Sequence, residues 1–204
     1  MNSTIKAIIF DFGGVLIDWS PHNLYNAYFP NQPEALEDFL REVDFYTWNA
    51  EQDRGRSFRE GVAELSAKFP HRADLIAAYA ENWINSITGE ISGTVRILHR
   101  LKAKGYSLYG LSNWSAETFP LVRDEFSFLD QFDDLVLSGE VKLVKPEPEI
   151  FHYLLERIPE EVGECLFIDD SLANIEAAQK LGFYTVHFRS AERLEDELRE
   201  HQLL

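Results

Sequence analysis

The sequence has a single cysteine, Cys165, so no internal disulfide can form, and no cysteine cluster is available to hold zinc. Bases are scarce as well: 19 lysines and arginines stand against 35 aspartates and glutamates, a formal net charge of −16. That deficit disfavours nucleic acid or an anionic membrane surface as the main partner, because either needs a basic face to displace counterions. A small anionic substrate remains compatible, since a few local cations or a metal ion reverse the field inside one cleft. No apolar run approaches the ~20 residues needed to cross a bilayer. The opening segment, MNSTIKAIIFDF, lacks a charged stretch leading into a long apolar run and a small-residue cleavage site. On these grounds the chain is expected to be soluble and cytoplasmic. Internal repeats and low-complexity tracts are absent too.

What is present is ordinary globular material: 204 residues, 45% hydrophobic and 26% charged. This length suits one elaborated domain or two small ones. Positions 5–10, IKAIIF, form a short β-branched run that reads as a strand buried on both faces, ending at Asp11-Phe12-Gly13-Gly14. From 18 to 87 the texture becomes aromatic and helical, without a convincing strand. Ser20-Pro21 looks like an N-cap and first-turn proline opening a helix through Tyr28. Helical apolar spacing continues over 58–69 and 75–87. After Gly89 strands and helices alternate. Helices are expected from about 94 to Gly105 and over 116–124, 148–156, 172–181 and 191–200, with strands over 107–111, 135–137, 165–168 and 184–188. Such alternation calls for an α/β fold, a parallel Rossmann-like sheet with helices on both faces. The segment 18–87 reads as a helical insertion after the first strand, leaving 1–17 and 88–204 as the core.

In an open parallel sheet, ligands bind beyond the carboxyl ends of the strands. Asp11 with Gly13-Gly14 follows the first strand here, and Ser112-Asn113 the second. A loop to Lys145-Pro146 follows the third, and Asp169-Asp170 the fourth, whereas the fifth offers only His187 and Arg189. Each has a plainer explanation: a turn aspartate, an N-cap, a solvated lysine, a pair of dipole-complementing acids. Taken singly, Ser112 and Lys145 are better read that way. Yet two adjacent carboxylates at a buried strand end are costly unless a cation neutralises them. Together at one edge, the residues point to a site.

The constellation resembles the haloacid dehalogenase superfamily of aspartate-nucleophile hydrolases over essentially the whole chain. It is carried by FDFGGVLID at 10–18, LSN at 111–113, KPEPEIF at 145–151 and FIDDSLANIEAA at 167–178. The texture is most similar to small phosphatases of sugar phosphates, and the insertion resembles the helical cap of one large subclass. The resemblance implies Asp11 as nucleophile, already ionised at pH 7 with an ordinary pKa of ~4. It implies Mg²⁺ on Asp11, the Gly13 carbonyl and Asp170, with Asp169 auxiliary; either carboxylate of the pair could lead. The choice of Asp170 follows the family register, in which Asn174 lies four residues on. Lys145 would neutralise charge in the transition state, and Ser112 and the Asn113 N–H would hold the phosphoryl oxygens with help from the Phe12 and Gly13 amides.

One departure stands out. Most phosphatases of the superfamily carry a second aspartate two residues after the nucleophile, as general acid and then base, and Gly13 stands there instead. Such a group is worth about 10²–10⁴-fold. Three readings follow: a leaving group that needs little protonation, a substitute from Asp18, His22, Glu51 or Asp53, or low activity. Arg54 and Arg56 are candidates to contact the substrate, while Tyr46 and Trp48 read first as packing. A metal-free 2-haloacid dehalogenase and a binding relic are the rivals. The acidic pair opposes the dehalogenase, as does the absence of the tyrosine those enzymes typically place two residues after the nucleophile. Gly13 alone supports the relic. The expectation is an Mg²⁺-dependent phosphatase of a small phosphorylated metabolite, monomeric or weakly dimeric. Cys165 is expected to be inert in the core, and Leu194 and Leu198 to dock the last helix.

Overall fold

A computed structural model describes residues 5–204. The first four positions, part of the expected core segment 1–17 and of the opening segment read above, lie outside the described residues. In chain order the elements are β1 (Ala7–Phe10), β2 (Ile17–Trp19), α1 (Pro21–Tyr25), α2 (Pro33–Glu42), α3 (Phe45–Asp53), α4 (Phe58–Lys68), α5 (Ala73–Glu81) and β3 (Ile87–Glu90). Then follow α6 (Ser92–Ala103), β4 (Ser107–Ser112), β5 (Asp134–Leu137), α7 (Ser138–Val141), α8 (Pro148–Leu155), β6 (Cys165–Asp169), α9 (Leu172–Leu181), β7 (Tyr184–His187) and α10 (Ala191–Glu200).

Five strands form a parallel sheet in the order β5-β4-β1-β6-β7. The order reverses direction at β1, so the ends of β1, β4 and β6 flank the crevice where such sheets bind ligands. Burial on both faces explains the unbroken apolar strands. Ile8 and Phe10 of β1, with Leu166 and Ile168 of β6, join the core on one face, which includes Leu98 of α6 and Leu194 of α10. Ala7 and Ile9, with Cys165 and Phe167, join the other, which includes Phe151 of α8 and Ile175 of α9. Both α10 leucines are buried, and no helix among the described residues is long and apolar enough to cross a membrane.

Local chemistry sets the helix ends. Ser20 accepts from the His22 amide ahead of α1, and Ser57 and Glu60 form a reciprocal capping box ahead of α4. Gly182 closes α9 in the left-handed conformation at φ +98°. The expected helix over 116–124 is absent: only a 3₁₀ turn, Phe119–Leu121, forms there. Pro120 has no N–H to donate and its ring would clash with the carbonyl of residue 116, whereas the first turn of a 3₁₀ segment tolerates it. The helix opened by Ser20-Pro21 stops at Tyr25, and the one expected over 75–87 stops at Glu81.

The segment expected to lack strands begins and ends in one. Ile17–Trp19 and Ile87–Glu90 pair antiparallel where the chain leaves the sheet and returns. A three-residue strand carries too little alternation to be read locally; its partner lies about seventy residues away. Between them, Tyr25, Phe39, Phe45, Trp48 and Tyr79 form an aromatic cluster of edge-on and stacked rings continuous with the core of one sheet face.

Candidate active site

The main chain carries Asp11 to the end of β1, where its amide donates to the Ile168 carbonyl at 2.9 Å. The Phe12 carbonyl accepts from both the Leu16 and Ile17 amides at 2.8 Å, winding 12–17 into a tight loop. Gly14 turns that loop at φ +75°, a conformation glycine adopts without Cβ strain. The space around Gly13 is open: a Cβ added there meets nothing within 4 Å.

Lys145 is the electrostatic centre. Its Nζ lies 2.9 Å from Asp11 Oδ1 and 2.7 Å from Asp169 Oδ2, with both it and Asp169 buried. Asp169 is saturated. It also accepts from the Ser171 amide at 2.8 Å and from Asn174 Nδ2 at 3.0 Å on each oxygen. Asp170, the exposed neighbour, is left out of the Lys145 ion pairs. Carboxylate oxygens of Asp11, Asp169 and Asp170 lie within 4.8 Å of one another. This is a hard, all-oxygen donor set in a cleft, and it fits a cation such as Mg²⁺. Both Asp169 oxygens accept from protein donors, whereas Asp11 takes Lys145 Nζ and the Phe12 amide on Oδ1.

The charges explain the titration. Burial pushes the Asp11 carboxyl up to about 7, with Lys145 opposing and Asp169 and Asp170 adding to the rise. Burial and the Asp169 charge likewise raise Asp170. Burial works against the Lys145 ammonium, yet Asp11 and Asp169 hold it above the ordinary lysine value. A divalent cation would remove the carboxylate repulsion and favour the ionised form of Asp11.

Ser112 ends β4 fully buried beside Asn113. The Asn113 side chain has work that sequence reading missed. Its Oδ1 accepts from the Lys145 amide and its Nδ2 donates to the Lys145 carbonyl, both at 2.9 Å, clamping the lysine backbone. Asn174 was likewise visible only as a position in a motif; no sequence signal shows which side chain it holds. His187 Nε2 lies 2.9 Å from the Asp170 carbonyl oxygen.

Asp11, Gly13, Gly14, Ser112, Asn113, Lys145, Asp170 and Asn174 line one cleft of about 490 Å³, together with Trp19, Tyr46, Asn49 and Asp53 from the segment between β1 and β3. The structure separates the residues considered for that segment. Asp18 is hydrogen-bonded to Thr88 on the exposed ribbon, His22 pairs with Glu37 at 2.5 Å, and Glu51 is exposed beside Arg54. Arg54 makes a bidentate pair with Glu147 at 2.8 and 2.9 Å, and Arg56 bonds Gln52, Glu64 and the Trp48 carbonyl. Neither arginine lines the cleft. Trp48 is buried in the aromatic cluster, while Tyr46 is exposed at the cleft wall.

Residues 5–182 match the family model for haloacid dehalogenase-like hydrolases. A sesquiterpene phosphatase from Aspergillus oryzae is 28% identical over 92% of this chain and 91% of its own length. A D-ribitol-5-phosphate phosphatase from Bacteroides thetaiotaomicron is 29% identical over 89% and 90% respectively. A solved HAD family enzyme from Bacteroides thetaiotaomicron, an aspartate-to-alanine variant in complex with magnesium and inorganic phosphate, superposes with a TM-score of 0.66. It is 27% identical, over 91% of this chain and 95% of that one. Parallel sheet, acidic strand ends and family match agree: the chain is a hydrolase that belongs to the haloacid dehalogenase-like family.

Proposed function

We propose that the protein is an Mg²⁺-dependent phosphatase of a small phosphomonoester, with a sugar phosphate as the substrate class. The observation that carries this reading is Asp11 beside Lys145 at the sheet edge, with carboxylate oxygens of Asp11, Asp169 and Asp170 within 4.8 Å of one another. Two phosphatases among the relatives support the reaction class, and the magnesium and phosphate of the structural relative support the cofactor. In this reading 88–204, with the segment up to 17, form the hydrolase core, and 18–87 form a helical cap.

Asp11, Asp170 and the Gly13 carbonyl would hold Mg²⁺, which supplies neutralisation of the substrate phosphoryl charge. Asp11 attacks phosphorus, the bond to the leaving oxygen breaks, and an aspartyl-phosphate forms. Water then attacks the phosphorus and returns Asp11 as a carboxylate. Lys145 keeps Asp11 anionic and aligned and stabilises charge on the phosphoryl oxygens. Ser112, the Asn113 amide and the Gly13 segment cradle the remaining oxygens. The Asn113 side chain acts through the Lys145 backbone.

Phosphate release from a panel of phosphomonoesters, with Mg²⁺ and with chelator, tests the reading, alongside halide release from 2-haloacids. Mg²⁺-dependent phosphate release that disappears in Asp11→Asn is expected. Metal-independent halide release would transfer the protein to the dehalogenases, and silence on both panels would leave only a binding role.

A further inference from the structure

Gly13 leaves the leaving group without an acid at the position the family usually provides one. The structure brings another carboxyl to the same space. Asp53, the last residue of α3, lines both the cleft and an adjoining recess walled by Gly13, Trp19, Asn49, Trp83, Asn113, Trp114 and Thr118. Its placement is built rather than incidental. The Asp53 carbonyl accepts from Ser138 Oγ at 2.5 Å, and the same hydroxyl accepts from the Trp114 amide at 2.9 Å, tying α3 to the loop after β4. The next residue, Arg54, is fastened to Glu147 ahead of α8. Asn49 Nδ2 holds Asp53 Oδ2 at 3.0 Å.

Among the described residues no cation pairs with Asp53. Lys145 is committed to Asp11 and Asp169, Arg54 to Glu147 and Arg56 to Glu64. The ionisable groups that act on it or feel it are Asp11 and the buried Tyr79 phenol. Burial pushes its carboxyl up to about 8, the Ser115 amide opposing and Asp11 adding to the rise, so the proton is held at neutral pH.

We infer that Asp53 is the general acid and base of this enzyme, taking from the cap side the role that Gly13 cannot perform. The assignment rests on the phosphatase reading and names a catalytic residue for it. In the first step Asp11 forms its bond to phosphorus, the phosphorus–oxygen ester bond breaks, and the Asp53 proton passes to the leaving oxygen. In the second, the Asp53 carboxylate takes a proton from water as that water attacks phosphorus; the Asp11–phosphorus bond breaks, and phosphate leaves with Asp53 protonated again.

The test is kcat/KM with Mg²⁺ over a series of substituted phenyl phosphates, from 2,4-dinitrophenyl to unsubstituted phenyl, for wild type, Asp53→Asn, and Asp53→Asn with Gly13→Asp. Asparagine retains an acceptor oxygen for Asn49 but has no acidic proton to give. Asp53→Asn is expected to lose about 10²–10⁴-fold on phenyl phosphate, the usual worth of a general acid, and little on the dinitrophenyl ester, whose leaving group needs no proton. The dependence on leaving-group pKa therefore steepens. Gly13→Asp, at a position open to a side chain, is expected to flatten it again. Equal losses across the series, or no loss, would overturn the assignment while leaving the phosphatase intact. A wild type that releases no phosphate from any member would overturn both.

Discussion

Gly14 and Asp170 are in steric register: a Cβ on Gly14 would overlap Asp170 Oδ2. The bare backbone at Gly14 thus leaves room for the Asp170 carboxylate, an oxygen of which lies within 4.8 Å of one of Asp11. Gly14→Ala adds a clash there and about 1–2 kcal/mol of left-handed backbone strain. We expect weaker Mg²⁺ activation, read as a higher Mg²⁺ concentration at half-maximal rate, with a lowered Tm. A variant with wild-type Mg²⁺ dependence would show that Asp170 need not hold this position.

Lys145 neutralises two buried carboxylates at once. Lys145→Met leaves both without a cation, and breaking a buried ion pair in this way costs about 3–5 kcal/mol. Urea unfolding in chelator isolates that loss from any effect of metal. A change below about 1 kcal/mol, the scale of exposed ion pairs, would mean that the charges are screened by solvent.

Asn174 lines the cleft and bonds both oxygens of Asp169, acting on the Lys145 ion pairs through that carboxylate. Loss of a positioning partner of this kind typically costs about 10–100-fold in metal affinity or activity. Asn174→Ala should therefore lower turnover by that factor, and Asn174→Asp should be worse, placing a further negative charge beside Asp169. Equal activity in the aspartate variant would contradict the geometry.

Cys165 is buried, donates from Sγ to the Glu161 carbonyl, and has its thiol pushed up to about 12, by burial first and then by Glu160 and Glu164. A raised thiol pKa means that the reactive thiolate is a small minority at pH 8. Iodoacetamide at pH 8 should leave the folded protein unlabelled and label it once per chain in urea. Rapid labelling of the folded state would show that β6 opens locally.

The sheet was legible because its strands are buried on both faces and therefore uniformly apolar, and each polar interruption marked a strand end. Asp11, Ser112, Lys145 and Asp169 are placed together at one edge for that reason. The helix expected over 116–124 does not form because Pro120 interrupts it, and the β2–β3 ribbon was missed because its pairing is non-local. Arg54 and Arg56 looked available to a substrate because a sequence shows a charge but not its partner; Glu147 is ninety-three positions from Arg54.

The sequence alone determined the α/β architecture and which polar residues stand at the strand ends, since these follow from local periodicity and residue type. The tertiary structure decided how that chemistry is shared. It committed Asp169 to Lys145 and Asn174, left Asp170 lining the cleft, set Asn113 to clamp the lysine backbone, and brought Asp53 of α3 into the same lining as Gly13. These relationships depend on distances between segments far apart in the chain, and only the packing of helices against sheet determines those distances.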